Sequence, residues 1–535
     1  MLLPTGSQMQ VIDREAIDGM GIPSLQLMEA AGRGVAEAVE EFGEEGPVVA
    51  VCGKGNNGGD GLVAARLIAG RGRTVHLWLT SSPSGYSGDA RVNWERLEKE
   101  AADLPGEIRL FPFEGESPDA GALAAAWSGA AVILDALLGT GVGGAPRPPM
   151  DAWIEAMNLA GRPIVAVDVP SGVDADTGAV PGAAPLAHLT VTMAYPKLGL
   201  LLYPGREHAG RVRTVDIGIP AEAAGASGTR LEVMTNREAA LLLPLRPGDS
   251  HKGDYGRVFV IAGSAGMMGA GRLVSEGACR AGAGLVRHGA PGSLLAVAHG
   301  GRDEVMVTPL EDGGSGHFRP GCSPLLDQVF SWCDTAAVGP GLGRHDETAA
   351  FLEEALERLP GDVTLVMDAD ALNLLAADPS LRGLVEGPLI LTPHPGEAAR
   401  LLGTDIDDIE ADRVAAARRL AGTFEAAAVL KGAPTITADP SGRAVLCPLG
   451  NPGMSTGGTG DVLTGVLAGL AGQLPDPFEA AALGVYLHAL AADLAAGDLG
   501  YWSLLAGDIA DYLPAAFGYL EAYPQRDVLA EGVWT

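Results

Sequence analysis

Short runs of apolar residues alternate with helical patterns along the chain, and this alternation occurs in two separate segments. In the first segment the apolar runs predict strands over Val48–Cys52, Thr74–Leu79, Ala131–Asp135, Ile164–Val169 and Leu189–Met193. Stretches with helical periodicity lie between them, such as Leu62–Ala69 and Met150–Ala160. Near-continuous apolar runs of this length are typical of parallel strands that are covered on both faces. The pattern therefore predicts a doubly wound α/β domain.

A second alternating segment follows a stretch of small and polar residues at Glu222–Gly228. Its apolar runs predict strands over Arg257–Ala262, Ala336–Val338, Val363–Met367, Leu389–Leu391 and Ala427–Leu430. From Asp461 to about Leu520 the pattern is mainly helical. Because the periodicity breaks between the segments, we expect two three-layer αβα domains, over residues 1–225 and 236–535.

Composition narrows the class of protein. The 535 residues include 36 Lys+Arg and 67 Asp+Glu, so the formal net charge is −31, which argues against nucleic acid and membrane surfaces as partners. A hydrophobic share of 47% excludes global disorder. The five cysteines are never spaced as CxxC, and no secretory leader or run of eighteen apolar residues is found. We therefore expect a soluble cytoplasmic protein.

The strand at Val48–Cys52 leads into a glycine-rich turn, Gly53–Gly61 (GKGNNGGDG), which precedes a helical pattern. Glycines at such a turn let a ligand approach the backbone, and the helix that follows offers free N–H groups to an anion. A tight turn without a ligand explains the glycines alone. Two asparagines and an aspartate inside the turn favour a binding site.

Two further strand ends in the first segment carry polar side chains. Asp135 ends one predicted strand, and Asp168 lies in another, with Ser171 and Asp174 just beyond it. One such carboxylate often caps a helix or braces a loop. Ligands of open α/β sheets bind at the carboxyl ends of the strands, so three polar ends predict one shared pocket. Amide, carboxylate and hydroxyl oxygens without His or Cys favour an alkali or alkaline-earth cation over zinc.

In the second segment, Asn451–Leu463 (NPGMSTGGTGDVL) joins a glycine run to an apolar helical pattern that begins with Asp461. Backbone N–H groups at such a helix start can hold a phosphoryl group, and Asp461 can accept a proton from a substrate hydroxyl. The alternative is that Asp461 is only a helix cap. Lys431 ends another strand and is costly to bury unless it meets an anion. His394 lies between two prolines, where hydrogen bonding within the fold and substrate contact are equally expected.

The motifs of the first segment resemble those of the NAD(P)H-hydrate epimerase domain. GKGNNGGDG, DALLGTG and DVPSGVDADTG occur in order after Gly21–Gly32 (GIPSLQLMEAAG), and the resemblance covers about residues 8 to 220. It implies that Asn57, Asp135 and Ser171 bind K⁺. It also implies a site for the hydrated nicotinamide lined by Asn56, Asn57, Gly58, Gly59, Asp60, Gly139, Thr140, Gly141, Val142, Gly143, Gly144, Ala145 and Asp168. Asp168 is the expected acid/base, since a carboxylate in a partly dry pocket can exchange a proton near working pH.

The second segment is similar to the ribokinase-like kinases, and most closely to their branch of ADP-dependent NAD(P)H-hydrate dehydratases. SHKGDYGR, VGPGLG, DADALN, TPHPGE, KGxxT and NPGMSTGGTGD match in order over about residues 236 to 520. The resemblance implies nucleotide contacts from Lys431, Gly432, Ala433, Pro434, Thr435 and Gly460. It implies contacts to the hydrated cofactor from Ala270, Gly341, Gly343, His394 and Asp461, the last as catalytic base.

Together the resemblances imply a bifunctional repair enzyme. It would interconvert the R and S forms of hydrated NADH and NADPH, and then dehydrate the S form at the expense of ADP. K⁺ is expected in the first domain and Mg²⁺ with ADP in the second, in a homo-oligomer of a size that the sequence does not give. The sequence also does not decide between ADP and ATP.

Three alternatives stand beside this reading. One is a ribokinase-like kinase of a small molecule with a non-catalytic, nucleotide-binding first domain, and another is a first domain that only binds a partner. The third, an NAD-dependent dehydrogenase, lacks the GxGxxG turn and its downstream acid.

Overall fold

The computed structural model describes residues 1–43, 46–112, 117–141 and 143–533, and the chain forms two compact units. The first unit contains Met1–Thr229 and Leu529–Gly532, and the second contains Arg230–Val528. The change from one unit to the other lies between residues 225 and 236, the ends of the two domains expected from the sequence.

The first unit is built on a parallel sheet. Its strands are β1 (Val48–Cys52), β2 (Val75–Leu79), β3 (Ile108–Pro112), β4 (Val132–Ala136), β5 (Ile164–Val167), β6 (Leu189–Met193) and β7 (Arg211–Val215). Its helices are α1 (Gly6–Arg14), α2 (Ser24–Val39), α3 (Asn56–Gly70), α4 (Gly88–Glu100), α5 (Ala120–Trp127), α6 (Met150–Leu159), α7 (Gly205–Ala209) and α8 (Ala221–Ala224). The strand order is β3-β2-β1-β4-β5-β6-β7. The chain therefore leaves β1 in opposite directions across the sheet, and a crevice opens at the carboxyl ends of β1 and β4.

Apolar residues of β1 are buried on both faces of this sheet. Val48, Ala50 and Cys52 belong to one apolar cluster with residues of α2, α3 and α4, whereas Val49 and Val51 belong to another with residues of α5 and α6. Because alternate residues of a strand point to opposite faces, a strand covered on both faces must be apolar throughout. The unit therefore has three layers, helices, sheet and helices.

The second unit has a larger, mostly parallel sheet. Its strands are β8 (Leu231–Val233), β9 (Arg257–Ile261), β10 (Leu285–Pro291), β11 (Met306–Leu310), β12 (Thr335–Val338), β13 (Thr364–Met367), β14 (Leu389–Leu391), β15 (Ala427–Leu430), β16 (Thr435–Ala438) and β17 (Ala444–Cys447). The order is β11-β10-β9-β12-β13-β14-β15-β16-β17-β8, and β16 runs antiparallel to both of its neighbours. The direction of the crossovers changes between β9 and β12, which again opens a crevice at the carboxyl ends of the strands.

Helices cover both faces of this sheet as well. They are α9 (Asn236–Leu241), α10 (Met268–Arg280), α11 (Leu295–Ala298), α12 (Ser323–Phe330), α13 (Asp346–Glu357), α14 (Asp370–Ala377), α15 (Pro395–Leu402), α16 (Ile406–Ala411), α17 (Arg413–Phe424), α18 (Thr459–Ala471), α19 (Pro477–Leu499) and α20 (Ala506–Ala522). The last helix, α21 (Val528–Glu531), belongs to the first unit except for Val528. Val258 and Val260 of β9 share a core cluster with residues of α10, α18, α19 and α20 on one face of the sheet. Phe259 points to the other face, where the centroid of its ring lies 5.9 Å from that of Phe330 in α12. The expected fold class, two doubly wound α/β domains, is confirmed.

One helix, α19, is long and apolar enough to cross a membrane by length and composition, but 89% of its most apolar window is buried within the fold. It lies in the core cluster of the second unit. Its apolar character is therefore explained by packing against protein.

Candidate functional site

The first unit contains a cavity of about 840 Å³ at the carboxyl ends of its central strands. Among the residues predicted for the substrate, it is lined by Asn56, Asn57, Asp60, Gly139, Thr140, Gly141 and Asp168. These residues come from the loops and helix starts that follow β1, β4 and β5. The structure therefore brings the three polar strand ends together, as the topology of an open sheet requires.

The glycine-rich turn enters its helix earlier than the apolar pattern indicated. Helix α3 begins at Asn56, six residues before Leu62, so the polar residues of the turn occupy its first turns. A Cβ atom on Gly58 would lie 1.8 Å from the carbonyl oxygen of Gly53, so only glycine fits there. A Cβ atom on Gly59 would lie 2.8 Å from the sulfur of Met28, which is near the end of a flexible side chain. These two glycines shape the turn and do not line the cavity.

The rest of the predicted glycine-rich loop lies away from the cavity wall. Gly143, Gly144 and Ala145 are exposed, and a Cβ atom on Gly182 would lie 3.0 Å from the Cβ atom of Ala145. Val142 lies outside the described residues. Contacts from this loop to a substrate stay a prediction.

Asp168 is held by an ion pair that the sequence reasoning did not include. Its Oδ1 atom accepts hydrogen bonds from Lys197 Nζ at 2.5 Å, from Thr192 Oγ1 at 3.2 Å and from the Met193 N–H at 3.2 Å. The Lys197 side chain is 1% exposed and that of Asp168 is 16% exposed. Asp168 is therefore a carboxylate that a buried ammonium and two further hydrogen bonds fix in position. Its backbone has a φ of 66°, in the left-handed region.

The three residues predicted for a cation form a buried cluster, in which Asn57 and Ser171 both bond to the Leu138 carbonyl and Asn57 also lines the cavity. Asp135 accepts hydrogen bonds from Ser171 Oγ at 2.6 Å and from the Ser171 N–H at 2.8 Å. Burial raises the pKa of Asp135 above its usual value, although these hydrogen bonds oppose the shift. Asn57 donates from Nδ2 to the Leu138 carbonyl at 2.8 Å, and its buried Oδ1 atom has no hydrogen-bond partner among the described residues. The cluster therefore contains a buried carboxylate and an unsatisfied amide oxygen.

Asp461 lies in the first turn of α18, at the carboxyl edge of the second sheet. The N-cap residue is Gly458, with a φ of 97°, so Asp461 is not itself the cap. Burial and the neighbouring Asp368 raise the pKa of Asp461 to about 6, and Lys431 opposes the shift. The described residues provide no hydrogen bond to its carboxylate. Asp461 is therefore a carboxylate poised to take a proton near neutral pH.

Lys431 lies among carboxylates beside Asp461, with its side chain 20% exposed. Its Nζ atom lies 2.7 Å from Asp368 Oδ1 and 4.0 Å from Glu397 Oε2. Burial alone would lower the pKa of Lys431, but Asp368 and Glu397 raise it above its ordinary value. Gly460 faces this pair, since a Cβ atom there would lie 3.4 Å from Lys431 Nζ. The lysine is therefore a fixed cation beside the glycine-rich start of α18.

The loop that follows Lys431 is held by hydrogen bonds from Arg413, a residue that was not predicted from the sequence. This buried arginine donates to the carbonyls of Lys431 at 3.0 Å and Pro434 at 3.1 Å. A Cβ atom on Gly432 would lie 2.4 Å from Arg413 Nη2, and Thr435 closes the loop with a bond to the Gly432 carbonyl at 3.0 Å. Five of the six predicted nucleotide residues, Lys431 to Thr435, therefore share one braced loop, and Gly460 lies in the first turn of α18.

His394 serves the fold in the way that its setting between prolines allowed. Its Nδ1 atom accepts from the N–H groups of Gly396 at 3.0 Å and Glu397 at 3.4 Å, so it caps α15. Burial and the neighbouring Lys431 lower the pKa of His394. Its side chain is 51% exposed, so substrate contact through Nε2 stays a prediction.

The remaining residues predicted for the hydrated cofactor follow β9 and β12. A Cβ atom on Gly341 would lie 3.1 Å from the Cβ atom of Ala270, and the Gly343 N–H donates to Asp370 Oδ2 at 2.9 Å. Both glycines have positive φ. Ser264, which was not predicted, is fully buried nearby, and its hydroxyl has no hydrogen-bond partner among the described residues. These turns form one side of the second crevice.

Solved structures resemble parts of the chain. The ADP/ATP-dependent NAD(P)H-hydrate dehydratase of Bacillus subtilis, co-crystallised with ATP and Mg²⁺, is 29% identical with a TM-score of 0.46, over 54% of this chain and 98% of that one. A ribokinase-like protein of Enterococcus faecalis is 28% identical with a TM-score of 0.47, over 55% of this chain and 97% of that one.

Family models and curated relatives match nearly the whole chain. The model for the YjeF-related protein N-terminus matches residues 24–199, and the model for NAD(P)H-hydrate dehydratase matches residues 258–515. A bifunctional NAD(P)H-hydrate repair enzyme of Moorella thermoacetica is 42% identical over 99% of both chains. Enzymes of the same description are 39% identical in Thermofilum pendens, over 95% of both chains, and 36% identical in Escherichia coli, over 93% of this chain and 90% of that one. The chain therefore belongs to the family of bifunctional NAD(P)H-hydrate repair enzymes.

Proposed function

We propose that this chain restores hydrated NADH and NADPH with two sites, an epimerase over residues 1–225 and a dehydratase over residues 236–535. The observation that carries the proposal is the pair of carboxylate sites at the strand ends of the two units, in a chain that repair enzymes match from end to end. Action in the cytoplasm, and assembly as a homo-oligomer, stay predictions.

The second site is suited to phosphoryl transfer. Hydroxide is a poor leaving group, whereas a phosphorylated hydroxyl leaves readily. In the proposed reaction Asp461 takes the proton of the ring hydroxyl while the N–H groups at the start of α18 hold the phosphoryl oxygens. Lys431 supplies a positive charge, and the loop to Thr435, together with Gly460, holds ADP. Elimination of phosphate then returns NADH or NADPH.

Mg²⁺ in this site would accompany the nucleotide. In the described ranges, no three His, Cys, Asp or Glu side chains come together to hold a metal ion. Mg²⁺ is usually bound by phosphates, waters and one or two carboxylates and not by an all-protein cage. Its chemistry there is to neutralise phosphate charge.

The first site is suited to proton transfer at the hydrated ring. The cavity of about 840 Å³ has the volume of a small-molecule site, and Asp168 lies in its wall as a carboxylate fixed by Lys197. Interconversion of the R and S forms requires the C–O bond at the hydroxyl-bearing carbon to break and to form again on the other face of that carbon. A fixed carboxylate that accepts a proton serves that exchange.

The buried cluster of Asn57, Asp135 and Ser171 has the donor atoms that K⁺ requires. Asn57 Oδ1 is an orphaned buried acceptor, and Asp135 is a fully buried carboxylate without a cationic partner among the described residues. Buried charges and acceptors of this kind are stabilised by a cation. Asn57, Asp135 and Ser171 would hold K⁺ through oxygen atoms, and the ion would fix the glycine-rich turns that line the cavity.

K⁺ is therefore expected to stabilise the first unit. In differential scanning calorimetry, 100 mM KCl should raise the melting temperature of this unit relative to 100 mM choline chloride, because the cation binds the folded state only. Asn57→Leu should remove the increase, whereas Asn158→Leu, which changes an amide outside the cluster, should retain it. An equal response of the wild-type protein to both salts would contradict the K⁺ site.

The function itself is tested with purified protein, a mixture of R and S hydrated NADH, and ADP. We expect the absorbance of reduced nicotinamide to recover completely, with AMP and phosphate as products. Replacing ADP by ATP decides which nucleotide is preferred. A protein that instead phosphorylates sugars or pyrimidines, and leaves the hydrates unchanged, would favour the small-molecule kinase.

A further inference from the structure

Asp13 and Asp60 are two of the three further aspartates that line the cavity of the first unit with Asp168. Asp13 comes from α1 and Asp60 from α3, so neither belongs to the strand end that carries Asp168. Lys197 faces the same space, and Lys54 and Asp89 also line the cavity. The cavity thus holds several carboxyl groups, of which only Asp168 has an ion-pair partner among the described residues.

The surroundings of Asp13 and Asp168 differ in the way that separates a general acid from a general base. Asp168 accepts three hydrogen bonds, one of them from a buried ammonium. Asp13 accepts none from the described residues. Burial, together with the charge of Asp168, raises the pKa of Asp13 to about 6, while Lys197 opposes the shift. A carboxylate that is held by three hydrogen bonds and a carboxyl group that accepts none can serve as the base and the acid of one reaction.

Asp60 differs from Asp13 in how firmly it holds its proton. Burial, with the charges of Asp168 and Asp13, raises the pKa of Asp60 well above its usual value. A group whose pKa lies close to neutral pH can both give and take a proton in that range. Of the two, Asp13 is therefore the one suited to exchange a proton.

We propose that Asp13 is the proton donor of the epimerase site and that the Asp168 carboxylate, fixed by Lys197, is its proton acceptor. This inference rests on the proposed function, and it adds a residue from the N-terminal helix to the reaction.

The step balances as an acid–base exchange of water at one carbon. Asp13 gives its proton to the ring hydroxyl, the C–O bond breaks, and water leaves while the ring nitrogen lone pair forms a C=N bond. Water then adds to the other face of the same carbon, the C=N electrons return to nitrogen, and Asp168 takes the proton released from the added water. Proton transfer from Asp168 back to Asp13 through water in the cavity restores the starting state, and no oxidant or further reactant is needed.

The experiment compares wild type with Asp13→Asn, using purified R hydrate without ADP and following the S form by chromatography. In the wild type we expect kcat/KM to fall as pH rises above about 6, because the donor loses its proton. Asp13→Asn should lower kcat/KM by about 10²- to 10⁴-fold and remove this fall, while the melting temperature is not reduced. Asp13→Glu, which keeps a carboxyl group, should retain the fall.

Asp18→Asn is the matched control, because Asp18 is an exposed carboxylate five residues further along the chain and does not line the cavity. It should retain the wild-type rate and pH profile. An unchanged rate in Asp13→Asn, a fall near pH 6 that persists in it, or a profile without that fall in Asp13→Glu would overturn the role of Asp13. Wild-type protein that does not interconvert the epimers would overturn the proposed function, and this inference with it.

Discussion

Replacing Asp168 with asparagine is expected to stop interconversion of the R and S hydrates while dehydration of the S form continues. The amide has the shape of the carboxylate but cannot take a proton, so kcat/KM for epimerisation should fall by about 10²- to 10⁴-fold. With a mixture of epimers and ADP, the variant should restore only the S fraction of the absorbance. The R form should then accumulate, and chromatography would identify it.

The same change removes the charge that balances Lys197. Loss of one partner of a buried ion pair costs about 3–5 kcal/mol, and Lys197 is 1% exposed. The amide oxygen can still accept its hydrogen bond, so the loss should lie at the lower end of that range. The carboxyl groups of Asp13 and Asp60, whose pKa values the charge of Asp168 helps to raise, should also ionise more readily.

A second variant separates the chemical role of Asp168 from its structural role. Asp168→Asn combined with Lys197→Met removes both charges, so the melting temperature of the first unit should recover while epimerisation remains absent. Recovery of activity together with stability would show that Asp168 acts only by holding the fold. Loss of dehydration in Asp168→Asn would refute independent sites in the two units.

The centre of each sheet could be predicted from the sequence, and the edges could not. The predicted strands at Val48–Cys52, Leu389–Leu391 and Ala427–Leu430 agree with β1, β14 and β15, because central strands are buried on both faces and are apolar throughout. The edge strand β3 is largely exposed, so it has no comparable run of apolar residues. Strand β10 carries Arg287 and His288 within LVRHGAP, and these polar residues interrupt the apolar run that would have indicated a strand.

The sites could be predicted only where chemistry is concentrated in short motifs. The glycine-rich turns and their aspartates stand out because they interrupt strand and helix patterns. The sequence pattern does not mark Lys197 or Arg413, because each acts through partners elsewhere in the chain. Glu397 acts at the start of α15, where it accepts from the His394 N–H. Single positions of this kind give no periodic signal. The scarcity of lysine was one signal of these sites. Of the five lysines in the chain, two form the ion pairs of the two sites.

Both ion pairs explain how a chain with a formal charge of −31 can handle anionic substrates. Dissolved salt screens the field of a surface charge beyond about 8 Å at physiological ionic strength. The ammonium of the ion pair therefore determines the electric field in each site more than the distant acidic surface does. In the first unit that ammonium fixes the position of the Asp168 carboxylate, and in the second it lies beside the start of α18, where phosphate is expected.

Asp461→Asn is expected to abolish dehydration and to leave epimerisation intact. Asparagine cannot take the proton of the ring hydroxyl, so the ADP-dependent rate on the S hydrate should fall by about 10²- to 10⁴-fold. In the wild type the rate should rise with pH to a plateau above about 6, because the base must be ionised and its pKa is about 6. The recovery of nicotinamide absorbance, measured from pH 5 to 8, checks both expectations.

The contribution of Asp461 to the stability of the wild-type protein should fall with pH, whereas the rate rises. Because the folded-state pKa of Asp461 is raised, its contribution to stability is present below the unfolded value and is lost as pH rises through about 6. At pH 8 the asparagine variant should therefore be at least as stable as wild type, by up to about 3 kcal/mol. Asp346→Asn, an exposed acid in the first turn of α13, should change neither rate nor pH profile. A slow Asp461→Asn that is also less stable at pH 8 would indicate that Asp461 supports the fold and does not act as the base.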